Sequence, residues 1–218
     1  MFKNKQYIFF DLDGTLIDSE PGITHCAAYA LEKMGVAAQT KEQLRRFIGP
    51  PLTESFMRFC GMTKEDAVKA TAFYRELYRD NGVYMFEVYN GVEQMLQMLK
   101  ESGKTLILAT SKPERFAKKV MERSGLKKYF THICGSLTDD TRTTKTEVLQ
   151  FAMESANLQD VHTAVMVGDR EYDVFGADDV GMQCMGVLYG FGSEDELNTA
   201  GAVALAKTPL DVARILLK

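Results

Sequence analysis

The stretch Tyr7-Ile8-Phe9-Phe10-Asp11-Leu12-Asp13-Gly14-Thr15-Leu16 limits the folds open to this chain. Its aromatic and β-branched run, behind a short polar leader, predicts a strand buried on both faces. The run ends in two aspartates separated by a single leucine, then a glycine. Residues i and i+2 of a strand share a face, so Asp11 and Asp13 aim at one point if strand geometry persists to its end. Two carboxylates at the carboxyl end of a buried strand are costly to leave unpaired, and a bound cation or a retained proton relieves that cost. In open α/β sheets this end is where ligands bind. A helix-flanked calcium loop is rejected. Counted from Asp11, its third ligand position holds Thr15 and its twelfth Gly22, and the flank is a strand. Taken alone, the tetrapeptide also fits a plain turn, and the rest of the chain has to decide.

With 218 residues, 45% of them hydrophobic, the chain suits one large domain or a domain with a sizeable insert, and it can bury a real core. A net charge of −4 and the lack of a basic run argue against a nucleic-acid partner. Cys26, Cys60, Cys134 and Cys184 show no metal-type spacing with one another or with His25, His132 or His162, and are expected as buried free thiols in a reducing cytosol. The leader has no long apolar region and no small-residue cleavage site, and no run of 18 apolar residues occurs. A cytoplasmic protein is expected, with no export signal and no membrane partner.

Residues 18–82 read as helical throughout, with helices over 23–34, 40–47, 53–60 and 63–80 and no strand signal. Phe56, Phe59, Phe73 and Tyr74 are expected in the core of this segment. From residue 90 onward the pattern changes. Val92, Met95, Leu96 and Leu99 fall at i, i+3, i+4 and i+7 of a helix. Strands are predicted over 105–110, 130–134, 163–169, 182–188 and 203–206, alternating with helices. Ser111 is the candidate N-cap of the helix after residue 110, with Pro113 near its first position. Such alternation predicts an α/β fold, a doubly wound parallel sheet covered on both faces. A βαβ unit takes roughly 30 residues, yet Asp11 and Thr110 lie 99 positions apart. The excess is the helical segment, read as a cap inserted after the first strand. The expected division is a core of residues 1–17 and 83–218 and a cap of residues 18–82.

Strand tips collect on one side of such a sheet. The first offers Asp11 and Asp13, the second Thr110 and Ser111, and the acidic tip Gly168-Asp169-Arg170-Glu171-Tyr172-Asp173. Lys145 starts the helix before that last strand, with Lys112 as a lesser candidate for the cationic role. Together they supply a hard-cation site, an anion site and a cation to balance it, which is the equipment of phosphoryl transfer.

Asp11-Leu12-Asp13-Gly14-Thr15, Thr110-Ser111-Lys112-Pro113, Lys145 and Gly168-Asp169-x-x-x-Asp173 resemble, in order and over nearly the whole chain, the four motifs of the haloacid dehalogenase superfamily. The helical insert resembles the small cap of its phosphoglycolate phosphatase-like branch, which includes 5′-nucleotidases. The resemblance implies a phosphatase in which Asp11 attacks phosphorus and forms an aspartyl-phosphate, while Asp13 is the acid and then the base. It implies that Gly14, Thr110, Ser111 and Lys145 hold the phosphoryl group. It also implies Mg²⁺ at Asp11, the Asp13 carbonyl and Asp169, with Asp173 in the outer shell. Arg45 or Arg46, beside Gly49-Pro50-Pro51, is expected to face the substrate, with Arg46 as the expected contact. A small phosphorylated metabolite is the expected partner of a monomer or homodimer. A carbon–halogen hydrolase is disfavoured by the presence of Asp13. A pyrophosphatase, a sugar phosphomutase and a non-catalytic binding module stay as alternatives.

Overall fold

A computed structural model describes residues 2–137 and 141–218. In chain order it contains β1 (Tyr7–Phe10), β2 (Ile17–Asp18), α1 (Glu20–Lys33), α2 (Lys41–Arg45), α3 (Leu52–Cys60) and α4 (Lys64–Asp80). There follow β3 (Glu87–Val88), α5 (Val92–Glu101), β4 (Thr105–Pro113), α6 (Glu114–Arg123), β5 (His132–Ser136) and α7 (Lys145–Ser155). The chain ends with β6 (Ala164–Gly168), α8 (Glu171–Asp179), β7 (Gln183–Val187), α9 (Glu194–Ala200), β8 (Ala204–Ala206) and α10 (Pro209–Leu216). Two compact units result, one of Met1–Asp18 with Val88–Lys218 and one of Ser19–Glu87.

The first unit is built on a six-stranded sheet of order β5-β4-β1-β6-β7-β8, with every pair parallel. β1 lies between β4 and β6, with Phe10 level with Leu108 on one side and Val167 on the other. Strand order reverses about β1, which places the switch-point crevice at the end of the strand carrying Asp11. Ile8, Phe9 and Phe10 are fully buried, as a strand covered on both faces requires. Phe9, Ile107, Met166 and Cys184 pack with Val148, Leu149 and Ala152 of α7 and with Val174 and Ala177 of α8. On α5 the predicted stripe of Val92, Met95, Leu96 and Leu99 is wholly buried.

The second unit holds α1 to α4. Cys26, Ala27 and Ala30 of α1 and Ala67, Ala70 and Tyr74 of α4 are buried, and Phe47 meets Phe56 at 4.9 Å between ring centroids. A Cβ on Gly22 would stand 2.2 Å from the Gly82 carbonyl oxygen, so only glycine permits this close approach to the 3₁₀ turn Gly82–Tyr84. Arg46 follows the last residue of α2 and lays its guanidinium 4.2 Å from the Phe59 ring centre.

Several elements differ from the sequence reading. α1 begins at Glu20, not residue 23, because Pro21 is accepted in the first turn. β2, β3 and the 3₁₀ turn at Leu126–Tyr129 carry no periodic signal and were not predicted. The largest correction concerns Ser111. It caps no helix, since β4 runs on to Pro113 and α6 starts at Glu114 with Pro113 at its N-cap. A residue before proline is driven out of the α region, so Lys112 cannot serve as a first helical residue behind a Ser111 cap. Cys26, Cys134 and Cys184 are buried and Cys60 partly so, and all four are free thiols. Among the described residues no helix is long and apolar enough to cross a membrane.

Candidate active site

Asp11 follows the last residue of β1 and continues its ladder, its N–H donating to the Val167 carbonyl at 3.0 Å. Asp169 follows β6, Asp173 lies in the first turn of α8, and Lys145 is the first residue of α7. These four meet. The Lys145 ammonium stands 2.7 Å from Asp11 Oδ1 and 2.7 Å from Asp173 Oδ1, and donates to the Ala109 carbonyl at 3.0 Å. A capping box between Thr144 and Glu147 fixes the start of α7, and therefore where the lysine departs from the backbone. Its stem crosses Gly176 of α8, where a Cβ would stand 2.5 Å from Lys145 Cγ. Asp173 closes back on α8 by accepting from the Arg170 N–H at 3.1 Å through Oδ2, while its buried Oδ1 has only the ion contact with Lys145.

Asp169 is fully buried. It accepts from the Thr15 hydroxyl at 3.2 Å and from the Phe191 N–H at 2.8 Å. Burial, then the negative charges of Asp173 and Asp11, push its carboxyl well above the usual carboxylate range. Burial likewise raises Asp11 to about 6, against the pull of Lys145. Burial works against the Lys145 ammonium, but Asp11 and Asp173 outweigh it and hold its pKa above that of an ordinary lysine. Three carboxyl groups are thus gathered about a single ammonium. Asp11, Asp169 and Asp173 each offer one oxygen within 4.8 Å of the others, a group that can hold a metal ion. An all-oxygen donor set suits a hard divalent cation.

Asp13 points its carboxylate elsewhere. The Lys112 ammonium grips it at 2.8 Å and 2.9 Å, one contact to each oxygen. The two aspartates of the opening motif thus answer to different lysines, because β1 stops at Phe10 and the shared-face geometry ends before Asp13. Thr110 is buried at the point where β4 leaves register with β5. Its hydroxyl oxygen accepts from the Lys112 N–H at 3.2 Å, which leaves the hydroxyl proton for another acceptor. Ser111 sits in the irregular stretch, with its carbonyl accepting from Ser136 Oγ at 2.7 Å. Arg46 belongs to the other compact unit.

One structural part escaped the sequence reading, the loop Tyr189-Gly190-Phe191-Gly192 after β7. Besides the Phe191 N–H on Asp169, it sends the Tyr189 hydroxyl to the Thr15 carbonyl at 3.1 Å. A Cβ on Gly190 would stand 2.3 Å from the Gly14 carbonyl oxygen, and one on Gly192 would stand 1.9 Å from that of Asp169. Two glycines just past a parallel strand are the available signal for such an approach. Gly14 is equally confined, at φ +84° with a notional Cβ 2.1 Å from Asp169 Oδ2. Gly14→Ala is expected to cost about 1–3 kcal/mol through its backbone alone, lowering Tm by several degrees in a thermal melt. An unchanged Tm would contradict this packing.

The haloacid dehalogenase-like hydrolase family matches residues 8–187. The chain belongs to that family. Among its relatives is a protein named 5′-nucleotidase from Pseudomonas aeruginosa, 42% identical over 190 residues, which span 87% of this chain and 86% of the relative. A protein named tyrosine-protein kinase PtkA from Mycobacterium tuberculosis is 34% identical over 97% of this chain and 72% of its own length. Phosphoglycolate phosphatase 1 of Pseudomonas aeruginosa is 32% identical over 84% of this chain and 70% of its own. The solved structure of a predicted phosphatase from Clostridium acetobutylicum superposes with a TM-score of 0.92 at 41% identity, covering 97% of each chain. As a family member with this sheet, the chain is a hydrolase of the haloacid dehalogenase type.

Proposed function

We propose that this hydrolase is a Mg²⁺-dependent phosphatase of small phosphomonoesters that works through an aspartyl-phosphate on Asp11. One observation carries the reading. A carboxylate at the tip of the central strand stands 2.7 Å from a buried ammonium, inside a cluster of two further carboxylates. In this reading the Asp11 carboxylate attacks phosphorus and the ester oxygen departs with a proton from Asp13. Water then attacks the acyl phosphate as Asp13 takes back a proton, releasing inorganic phosphate and restoring the Asp11 carboxylate. Lys145 screens the charge that Asp11 and the phosphoryl oxygens bring together, and the Thr110 hydroxyl, the Ser111 amide and Gly14 face those oxygens. Asp11, Asp169 and the Asp13 carbonyl would hold Mg²⁺, with Asp173 acting through Lys145 and the α8 cap. The ion supplies positive charge to the phosphoryl oxygens.

Phosphoglycolate and nucleoside 5′-monophosphates both fit this chemistry. The higher identity to the relative named 5′-nucleotidase favours the nucleotide. The test is inorganic phosphate release from nucleoside 5′-monophosphates, 2-phosphoglycolate, pyrophosphate and p-nitrophenyl phosphate, with Mg²⁺ and with chelator. Turnover of at least one monoester that disappears on chelation is expected. Equal turnover in chelator would remove the metal from the reading, and none with any monoester would remove the phosphatase.

A further inference from the structure

We propose that Lys112 is the positioning residue of Asp13, and through it a determinant of how well the enzyme expels a poor leaving group. The inference rests on the phosphatase reading above, in which Asp13 delivers the proton. Lys112 is itself 8% exposed, and a lysine is kept that deep only against a charged partner. Its ammonium takes both oxygens of Asp13, at 2.8 Å and 2.9 Å, where Lys145 takes one oxygen each of Asp11 and Asp173. Lys145 thus holds Asp11 and Asp173 while Lys112 holds Asp13, the acid–base aspartate of that reading.

The backbone is built to deliver this side chain. Thr110 pairs with Gly135, but Pro113 pairs with Ser136, so β4 carries two extra residues, Ser111 and Lys112, against its neighbour. Such a bulge re-aims side chains beside active sites. It is locked at three points, by the Lys112 N–H on Thr110 Oγ1, by Ser136 Oγ on the Ser111 carbonyl at 2.7 Å, and by Pro113 holding Lys112 extended. Asp13 lies beyond β1 and before the left-handed Gly14, where its backbone makes only an isolated bridge to Ile17. A proton donor acts only within hydrogen-bond reach of the leaving oxygen. Lys112 meets both Asp13 oxygens, so either can stay on the ammonium while the other turns to the leaving oxygen, and the side chain does not wander.

The test compares two substrates by kcat/KM, which reports only the steps through expulsion of the leaving group. One is p-nitrophenyl phosphate, whose leaving group needs little protonation. The other is the alkyl phosphate of the panel above that wild type turns over fastest. General acids contribute about 10²- to 10⁴-fold. Lys112→Met is expected to lose about 10- to 100-fold on the alkyl ester and less than about 3-fold on the aryl ester, with Lys112→Arg recovering much of the difference. A purely structural lysine would lower both alike. Equal losses, or no loss on the alkyl ester, overturn the proposal while the phosphatase reading stands. A wild-type protein that hydrolyses neither ester overturns both. If Lys112→Met does not fold, Lys112→Arg alone decides. A displaced guanidinium predicts a smaller loss confined to the alkyl ester, and a uniform loss refutes it.

Discussion

Asp11→Asn is expected to lower kcat on any monoester by about 10⁴-fold or more, since removing a nucleophile takes away the covalent step itself. The fold should survive, because Lys145 keeps Asp173 at 2.7 Å and the Ala109 carbonyl at 3.0 Å. Two measurements together check this. Steady-state phosphate release should vanish, and wild-type protein quenched in acid during turnover should carry labelled phosphorus that the variant lacks. Undiminished turnover in the variant would sink the assignment of Asp11, whatever the fate of the family fold.

Asp169→Asn is expected to move activity and stability in opposite directions. The Asp169 carboxyl is held well above the usual carboxylate range, and Asp11 at about 6, chiefly by burial. Between the unfolded and folded values the native state binds more protons than the unfolded chain, so this contribution to stability falls as pH rises through that window. Above the ordinary carboxylate range and without a cation it is adverse, and it grows more so as pH rises. Asparagine keeps the shape and an acceptor for the Phe191 N–H but removes the charge. Relieving a poorly compensated buried charge is worth about 1–4 kcal/mol, so the chelated variant should melt about 3 °C or more above chelated wild type. The difference should shrink as pH falls toward 4. Added Mg²⁺ should raise the Tm of wild type, by mass action on the native state, and leave the variant unmoved. Phosphatase turnover should fall at least about 100-fold, the scale of losing one preorganised charge at the reacting oxygens. A chelated variant that melts several degrees below wild type would mean that Asp169 stabilises the metal-free fold, contrary to the burial account.

Much of this arrangement was legible because parallel sheets announce themselves. A hydrophobic run ending in acid or hydroxyl, such as Phe9-Phe10-Asp11 or Met166-Val167-Gly168-Asp169, states both that a strand is buried and where its polar carboxyl end lies. Lys145 was legible from its place ahead of the acidic strand, and Thr144-x-x-Glu147 shows why it is held there. What stayed hidden depends on contacts between distant segments. The register shift in β4 has no local pattern, so Ser111 read as a cap and Lys112 as a competitor of Lys145 rather than the partner of Asp13. The Tyr189 to Gly192 loop was silent for the same reason, since its glycines are explained only by Gly14 and Asp169, far away in the chain.

The central place of β1 also bears on how the protein comes into being. Lys145 reaches Asp11 across 134 positions, and Thr15 reaches Asp169 across 154. Parallel strands cannot pair through a local hairpin, and contacts this remote form late and slowly. A nascent or half-folded chain therefore holds Asp11 without its ammonium and without its fellow carboxylates. Recovery of activity during refolding is therefore expected to follow, not precede, the pairing of β1 with β4 and β6.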